Sequence, residues 1–446
     1  MKIRESAFTY KVDDGSGGLL LYNTAIGIDS FCHVADIDGS RYQDMLADEY
    51  NRDELKSLEL VKKGIWVPDD KDEQALLKSL YIRTVGSAEL ILIINPTEEC
   101  NFRCKYCYEN FSNGLMDETL QRKLIRFVEV NLHRYTGLKI MWFGGEPLLG
   151  MSVIRSLSQA FIEICKNNRK PYSAQLTTNG YLLDYETFVE LVKYHVQSFQ
   201  VTVDGIKDIH DSQRVDKNGR ETFNVILKNL LAIRDGRKYP AQIVLRTNFT
   251  YTLYQRLDDY IRNFCTLFSD DRRFSFDIHL VGNWLGRAED SVLKDIVGID
   301  MYRTIFQAIL EHPVGIKNLA TISLHPAGRV CMAVRRNSYL VSSDGSIHKC
   351  TLIFGNQESI LGQYSASGEK MEIDEDKSAA WIGEWNYCNH VSDCYLAPLC
   401  FGEHCPVPRI MGDRQKGDAY CPEIKLYLDL FLRCVHRFQP FETISL

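Results

Sequence analysis

Three cysteines crowd into the stretch NPTEECNFRCKYCYEN, residues Asn95–Asn110: Cys100, Cys104 and Cys107, spaced C-x3-C-x2-C. Thiolates are soft ligands that suit zinc or iron–sulfur clusters. A structural zinc ion wants four closed ligands, and no fourth cysteine or histidine stands close by. A cubane held by three protein thiolates leaves one iron open to an exogenous ligand. The spacing alone leaves a cluster, a zinc half-site and chance clustering all open.

Seven further cysteines fall in the last third of the chain: Cys331, Cys350, Cys388, Cys394, Cys400, Cys405 and Cys421. The first pair reads C-x13-G-x4-C, and the next four read C-x5-C-x5-C-x4-C. Zinc ribbons use two C-x2-C knuckles, and this region has none. Cys32, Cys165, Cys265 and Cys434 complete the fourteen. Their apolar surroundings suit buried, inert thiols. His348, His390 and His404 stand beside these cysteines, where a supporting or solvent-facing role is expected rather than ligation.

A chain of 446 residues exceeds one core, so two or three domains are expected. The net charge of −7 argues against a nucleic-acid or anionic-membrane surface. No membrane-spanning apolar run and no signal peptide are evident. The expected location is cytoplasmic, where thiols stay reduced and fourteen cysteines point to metal rather than disulfides.

The elements that must position these residues divide the chain in three. Residues 1–86 read as a winged-helix-like module: strands FTYKVD and GGLLLYN, helices YQDMLADEY and RDELKSLELVKKG closing on Gly64, and a third helix capped by Asp69 or Asp70. Its acidic segments suit binding of a peptide along a strand edge better than binding of nucleic acid. Residues 87–318 alternate apolar runs with helical patterns. The runs are ELILIINP, LKIMWFGGEP, YSAQLTTNG, SFQVTVDG, AQIVLRTNFT and RFSFDIHLVG. Six such units predict a parallel α/β sheet, a partial (β/α)6 barrel. Active sites of such barrels gather at the C-terminal strand ends. The three-cysteine loop, Gly144-Gly145-Glu146, Thr178-Asn179-Gly180, Asp204-Gly205 and Asn248 all fall there. In residues 319–446 the alternation stops, and a loop-rich segment needs stapling by metal. A closing amphipathic helix, EIKLYLDLFLRCVHRFQPF, ends it.

With Tyr106 as the aromatic of C-x3-C-x-aromatic-C, the cysteine loop resembles that of the radical S-adenosylmethionine (SAM) enzymes. That resemblance implies a 4Fe–4S cluster on Cys100, Cys104 and Cys107, with SAM chelating the open iron and Tyr106 near the adenine. WFGGEP resembles the family's GGE motif. Gly144 and Gly145 would let the backbone approach the methionine moiety, and Glu146 would accept from its ammonium. Thr178, Asn179 and Thr202 are candidates for ribose or carboxylate contacts, and Arg214 for the carboxylate. The last segment resembles the SPASM extension, which carries two auxiliary 4Fe–4S clusters. Its first half matches, whereas the family's C-x2-C-x5-C-x3-C has become C-x5-C-x5-C-x4-C, which puts Cys388 most in doubt. The implied pairing is Cys331, Cys350 and Cys405 for one auxiliary cluster, with an open iron for a substrate thiolate. Cys388, Cys394, Cys400 and Cys421 take the other.

GLLLYNT and LVKKGIWVP resemble the N-terminal region of radical SAM–SPASM peptide maturases, where a winged-helix-like module recognises a leader peptide. The implied activity is reductive cleavage of SAM to a 5′-deoxyadenosyl radical, which takes hydrogen from a ribosomally made precursor peptide. The implied product is an intramolecular cross-link, foremost a cysteine thioether, and flavodoxin or ferredoxin is the implied electron donor. The alternatives are an anaerobic sulfatase-maturating, formylglycine-forming enzyme and a non-catalytic metal-stabilised peptide-binding protein. Asp204, Asp277 and Asp344 are candidates for acid–base work from their places near strand ends and cysteine loops, where turn and capping roles compete.

Overall fold

The computed structural model describes residues 1–35, 39–111, 113–236, 238–283, 286, 288–353, 356–383, 388–403, 405–413 and 421–444. His404 lies outside the described residues. Contacts divide the chain into two compact units, each assembled from separate segments. One comprises Met1–Ser87, Asp300–Arg335 and Ile382–Leu446; the other comprises Ala88–Ile299 and Arg336–Trp381.

The second unit is built on one open, mixed sheet. The six expected apolar runs form six neighbouring parallel strands: β1 (Leu90–Ile94), β2 (Leu138–Trp142), β3 (Tyr172–Thr178), β4 (Val196–Thr202), β5 (Gln242–Phe249) and β6 (Phe274–Leu280). Their spatial order follows the chain, and β6 does not return to pair with β1, so the barrel is partial. Beyond β1 the sheet continues through β7 (Ser338–Val341), parallel to β1, and then antiparallel β8 (Ser346–His348), β9 (Ile360–Tyr364) and β10 (Met371–Ile373). The sequence pattern predicts loops in this stretch. Three- to five-residue strands give too little periodicity to recognise, although Asp344-Gly345 is a hairpin signal. Gly345 adopts a positive φ of 91° at that turn.

Helices cover one face of the sheet. They include α1 (Glu118–Asn131), α2 (Met151–Asn167), α3 (Tyr185–Lys193), α4 (Lys207–Gln213), α5 (Phe223–Gly236) and α6 (Leu257–Asn263). Asp117 and Asp184 cap α1 and α3 by accepting from Leu120 N and Thr187 N. In α2 the residues Val153, Ile154, Leu157, Phe161 and Cys165 recur on one face and are buried. Each large apolar side chain so buried contributes about 1.5–3 kcal/mol. The sequence reading found no membrane-length apolar run. The stretch Pro147–Asn167 does reach that length and apolarity, but this buried face marks it as a core helix.

The first unit holds a four-stranded sheet ordered Glu442–Ile444, Cys32–Val34, Leu19–Asn23, Thr9–Asp13. Three strands come from the expected N-terminal module. The fourth comes from the far end of the chain and lies parallel to Cys32–Val34. Leu21, Cys32, Tyr42, Trp66 and Ile444 close one core beneath it. The expected second helix is two short ones, Arg52–Ser57 and Glu59–Lys62, because Leu58 takes an extended backbone conformation. The third helix, Glu73–Val85, is capped by Asp72 and not by Asp69 or Asp70, with Asp72 accepting from Ala75 N at 2.9 Å. The closing amphipathic helix is present as Leu428–Phe438.

Asp72→Ala is expected to lower the opening free energy of Glu73–Val85 by about 1 kcal/mol, read by amide hydrogen exchange. Asp69→Ala and Asp70→Ala are expected to change it by less than about 0.5 kcal/mol. Equal effects from all three would remove the cap assignment.

Candidate functional site

The cysteine loop leaves the end of β1 and pairs with another loop. Its segment Phe102–Cys104 forms a short antiparallel ladder with Arg214–Asp216, placing Arg214 opposite Cys104. Lys105 N to Gln213 O at 3.0 Å and Lys217 N to Asn101 O at 2.8 Å extend the pairing. The main chain thus ties the three thiols to the segment after β4.

Asp204, just beyond β4, is fully buried at the centre of a polar hub. Tyr106 Oη donates to its carboxylate. Arg214 Nη1 donates to Tyr106 Oη at 2.6 Å. Asn248, on β5, gives its backbone N–H and its Nδ2 to Asp204 Oδ1, both at 3.1 Å, and Nδ2 also reaches Tyr106 Oη at 3.1 Å. Burial raises the Tyr106 phenol well above its ordinary value, so it stays protonated and donates. Behind the hub, His210 Nδ1 accepts from Asp204 N at 3.2 Å, which leaves its Nε2–H to donate to Thr222 Oγ1 at 3.1 Å; Thr222 in turn donates to Arg214 O at 2.6 Å. The tautomer is therefore fixed by the backbone. Arg214 is buried and its Nε makes no hydrogen bond among the described residues.

A second tie joins β2 to β3. Glu146 is fully buried. Its Oε1 accepts from Thr178 Oγ1 at 2.8 Å and Leu148 N at 3.1 Å, and its Oε2 accepts from Asn179 N at 2.8 Å. Burial raises this carboxyl while those donors lower it. Glu146 thus clamps two strand ends, with Thr178 and Asn179 as its partners. Asn179 Nδ2 also donates to Asn101 Oδ1 at 2.8 Å, inside the cysteine loop.

Gly144 and Gly145 serve the loop's close approach. Gly144 has φ +99°, and a Cβ there would lie 2.6 Å from Thr97 O. A Cβ on Gly145 would lie 2.4 Å from Glu99 O, one residue before Cys100. Only glycine leaves room for that backbone crossing.

Tyr106, Gly144, Gly145, Glu146, Thr178, Asn179, Asp204 and Arg214 are therefore brought together around the cysteine loop. Thr202 lies on the sheet face shared with Arg246 and Asn248, with Arg246 its register partner. Asp277 is the Cα partner of Arg246 on β6. Asp344 is exposed in the β7–β8 turn, where it accepts from Ser346 N at 2.9 Å and Ser346 Oγ at 2.6 Å, a turn role.

The thiols fit a cationic cluster. Burial pushes up Cys100, Cys104 and Cys107, the last to about 12, and neighbouring thiols add to the rise for Cys100 and Cys107. A metal core supplies the positive charge that three buried thiolates require. Glu109 was missed in the sequence. Its Oε2 is shielded and accepts no hydrogen bond among the described residues, and burial with Glu98 nearby raises it to about 8.

In the first unit, Cys388, Cys394, Cys400 and Cys421 line one pocket with Val391, Leu396, Ala397, Gly402 and Pro422. This is the four-cysteine set that the SPASM resemblance implies, Cys388 included. Gly402, at φ +83°, passes close to Cys388. Burial raises Cys400 to about 12, and the other three thiols add to it. Cys331 and Cys405 belong to this unit, and Cys350 to the other. Cys32, Cys165, Cys265 and Cys434 are all buried, as expected.

Residues 94–264 match the profile of the Radical SAM superfamily. This segment is a radical SAM domain, which implies a 4Fe–4S cluster and SAM. A cysteine-type anaerobic sulfatase-maturating enzyme of Clostridium perfringens is 32% identical over 149 residues, 31% of this chain and 39% of that protein. A serine-type enzyme of Klebsiella aerogenes is 27% identical over 29% of this chain and 33% of its own length. The matches to these maturases thus span about a third of their length. An uncharacterised protein of Methanocaldococcus jannaschii is 25% identical over 59% of this chain and 85% of that protein. Among solved structures, anSMEcpe with bound AdoMet and Kp18Cys peptide covers 78% of this chain and 99% of its own at TM-score 0.56 and 19% identity. SuiB of Streptococcus suis bound to precursor peptide SuiA covers 94% of this chain and 98% of its own at TM-score 0.53 and 13% identity. At these identities the likeness is one of fold.

Tyr106→Phe leaves the Asp204–Arg214–Asn248 hub without its central hydroxyl. Thermal or denaturant unfolding is expected to show a loss of about 1–3 kcal/mol. A neutral effect would show the hub to be peripheral.

Proposed function

We propose that this chain is a radical SAM oxidoreductase that modifies a ribosomally made precursor peptide, joining a cysteine sulfur to a carbon of another residue. The observation that carries the reading is a three-cysteine loop fixed at the sheet's C-terminal strand ends in a chain that also builds a four-cysteine cavity. Cys100, Cys104 and Cys107 are assigned to the cluster that binds SAM. Cys388, Cys394, Cys400 and Cys421 are assigned to an auxiliary 4Fe–4S cluster. When bound and reduced, SAM supplies a 5′-deoxyadenosyl radical able to take hydrogen from carbon. The protein's part is to hold the loop, orient the peptide and exclude competing donors. Arg214 and Asn179 are the side chains assigned to the SAM end of the site.

The peptide reading draws support from the N-terminal module and from a fold shared with proteins solved with peptides. A leader peptide is the assigned ligand of that module, and a flavodoxin or ferredoxin the assigned electron donor. The second reading, formylglycine formation on a sulfatase, rests on the relatives of that name.

Anaerobically reconstituted enzyme, reductant and SAM should be incubated with cysteine-containing precursor peptides, including any encoded beside its gene. The expected product has lost two hydrogens and one free thiol. A hydrazine-reactive aldehyde at serine or cysteine would favour the sulfatase reading. Release of 5′-deoxyadenosine with no change in any peptide would overturn both. Separately, Cys400→Ala is expected to lower iron by about four atoms per chain, since each cubane holds that number. Unchanged iron would remove the four-cysteine assignment.

A further inference from the structure

Strand β6 carries two chemistries on its two faces. Phe274 and Phe276 point to the helix layer, where Phe268 and Phe264 pack on them at 4.8 and 6.2 Å. Strand alternation sends Asp277 and His279 to the opposite face. There His279 Nε2 lies 3.0 Å from Asp277 Oδ2, with the two side chains 30% and 27% exposed. This is the face of the polar hub. His279 is the register partner of Asn248, whose Nδ2 reaches Tyr106 of the cysteine loop. Neighbouring strands lie about 4.8 Å apart, so the imidazole stands one strand from a residue touching that loop. Arg246, the partner of Asp277, donates to Asn248 Oδ1 at 3.3 Å.

We infer that His279 is the proton acceptor of the oxidation and that Asp277 is its positioning residue. The inference rests on the peptide-oxidation reading above. Joining a cysteine S–H to a C–H removes two hydrogens. One leaves as a hydrogen atom and forms the new C–H bond of 5′-deoxyadenosine. The other leaves sulfur as a proton and an electron as the S–C bond forms. An iron–sulfur cluster held by the protein's cysteines would supply the acceptor for that electron. His279 takes the proton at Nδ1, because its Nε2 faces Asp277. Asp277 stabilises the imidazolium so formed. A partly exposed imidazole with a carboxylate behind one nitrogen suits this task better than the buried residues of the hub. His210 cannot take it, since its Nδ1 already accepts from the Asp204 backbone.

The test compares wild type with His279→Gln and His279→Ala, using a cysteine-containing peptide that the wild-type enzyme modifies as probe and counting modified peptide per 5′-deoxyadenosine. Glutamine keeps a polar contact to Asp277 but is no base, so it separates folding from proton transfer. Both variants are expected to lower the ratio at least about tenfold, within the range of general-base effects. Imidazole added to the alanine variant is expected to restore part of it, and Asp277→Asn to give a smaller loss. Wild-type ratios in both His279 variants, or no rescue by imidazole, would overturn the assignment while leaving peptide oxidation standing. A wild-type enzyme that modifies no peptide would instead remove the oxidation reading and this inference with it.

Discussion

The interaction on which the rest of the site depends is the buried carboxylate of Asp204 and the ladder beside it. A polar group at zero exposure persists only where hydrogen-bond partners surround it. Tyr106 and Asn248 supply hydrogen bonds, and Arg214 Nε stands 3.9 Å away with the opposite charge. Tyr106 belongs to the cysteine loop and Asn248 to β5, and Asp204 follows β4. One carboxylate therefore fixes the loop against two strand ends, while the Arg214–Cys104 pairing fixes its main chain. Glu146 does the same work between β2 and β3. Two buried acids, each saturated by neighbours, hold a loop that has no secondary structure of its own beyond a three-residue strand.

That arrangement explains the division of labour among the motif residues. The glycines of WFGGEP give passage to the loop's backbone, and the glutamate after them is a clamp. Arg214 is buried with its Nε 3.9 Å from Asp204, and the Asn179 side chain bridges the loop's Asn101 and Tyr181 N. The partly exposed Asp277–His279 pair lies on the same sheet face.

Most of the second unit was legible in the sequence because its six strands read as short apolar runs separated by helical patterns. Leu90–Ile94 is buried at every position, which is what a central parallel strand requires. The strand-end residues followed from the fold class. Illegible were the short strands β7–β10 and the strand Glu442–Ile444, whose partner, Cys32–Val34, lies some four hundred residues earlier. Pairing over that separation leaves no local signal. The break at Leu58 and the choice of Asp72 over Asp69 or Asp70 depend on single backbone angles. Among site residues, the cysteines could be found by spacing. The His279–Asp277 pair could be found only by applying the two-residue period to β6 after its face toward the helices was known.

The central claim is that Cys100, Cys104 and Cys107 bind a cluster whose open iron takes SAM. Electron paramagnetic resonance of the anaerobically reduced protein, recorded with and without SAM, tests it most directly. The expected result is a reduced-cluster signal that shifts when SAM is added and that is lost in Cys104→Ala, while signals from the C-terminal cysteines remain. A spectrum indifferent to SAM, or a SAM-dependent signal that survives in Cys104→Ala, would contradict it.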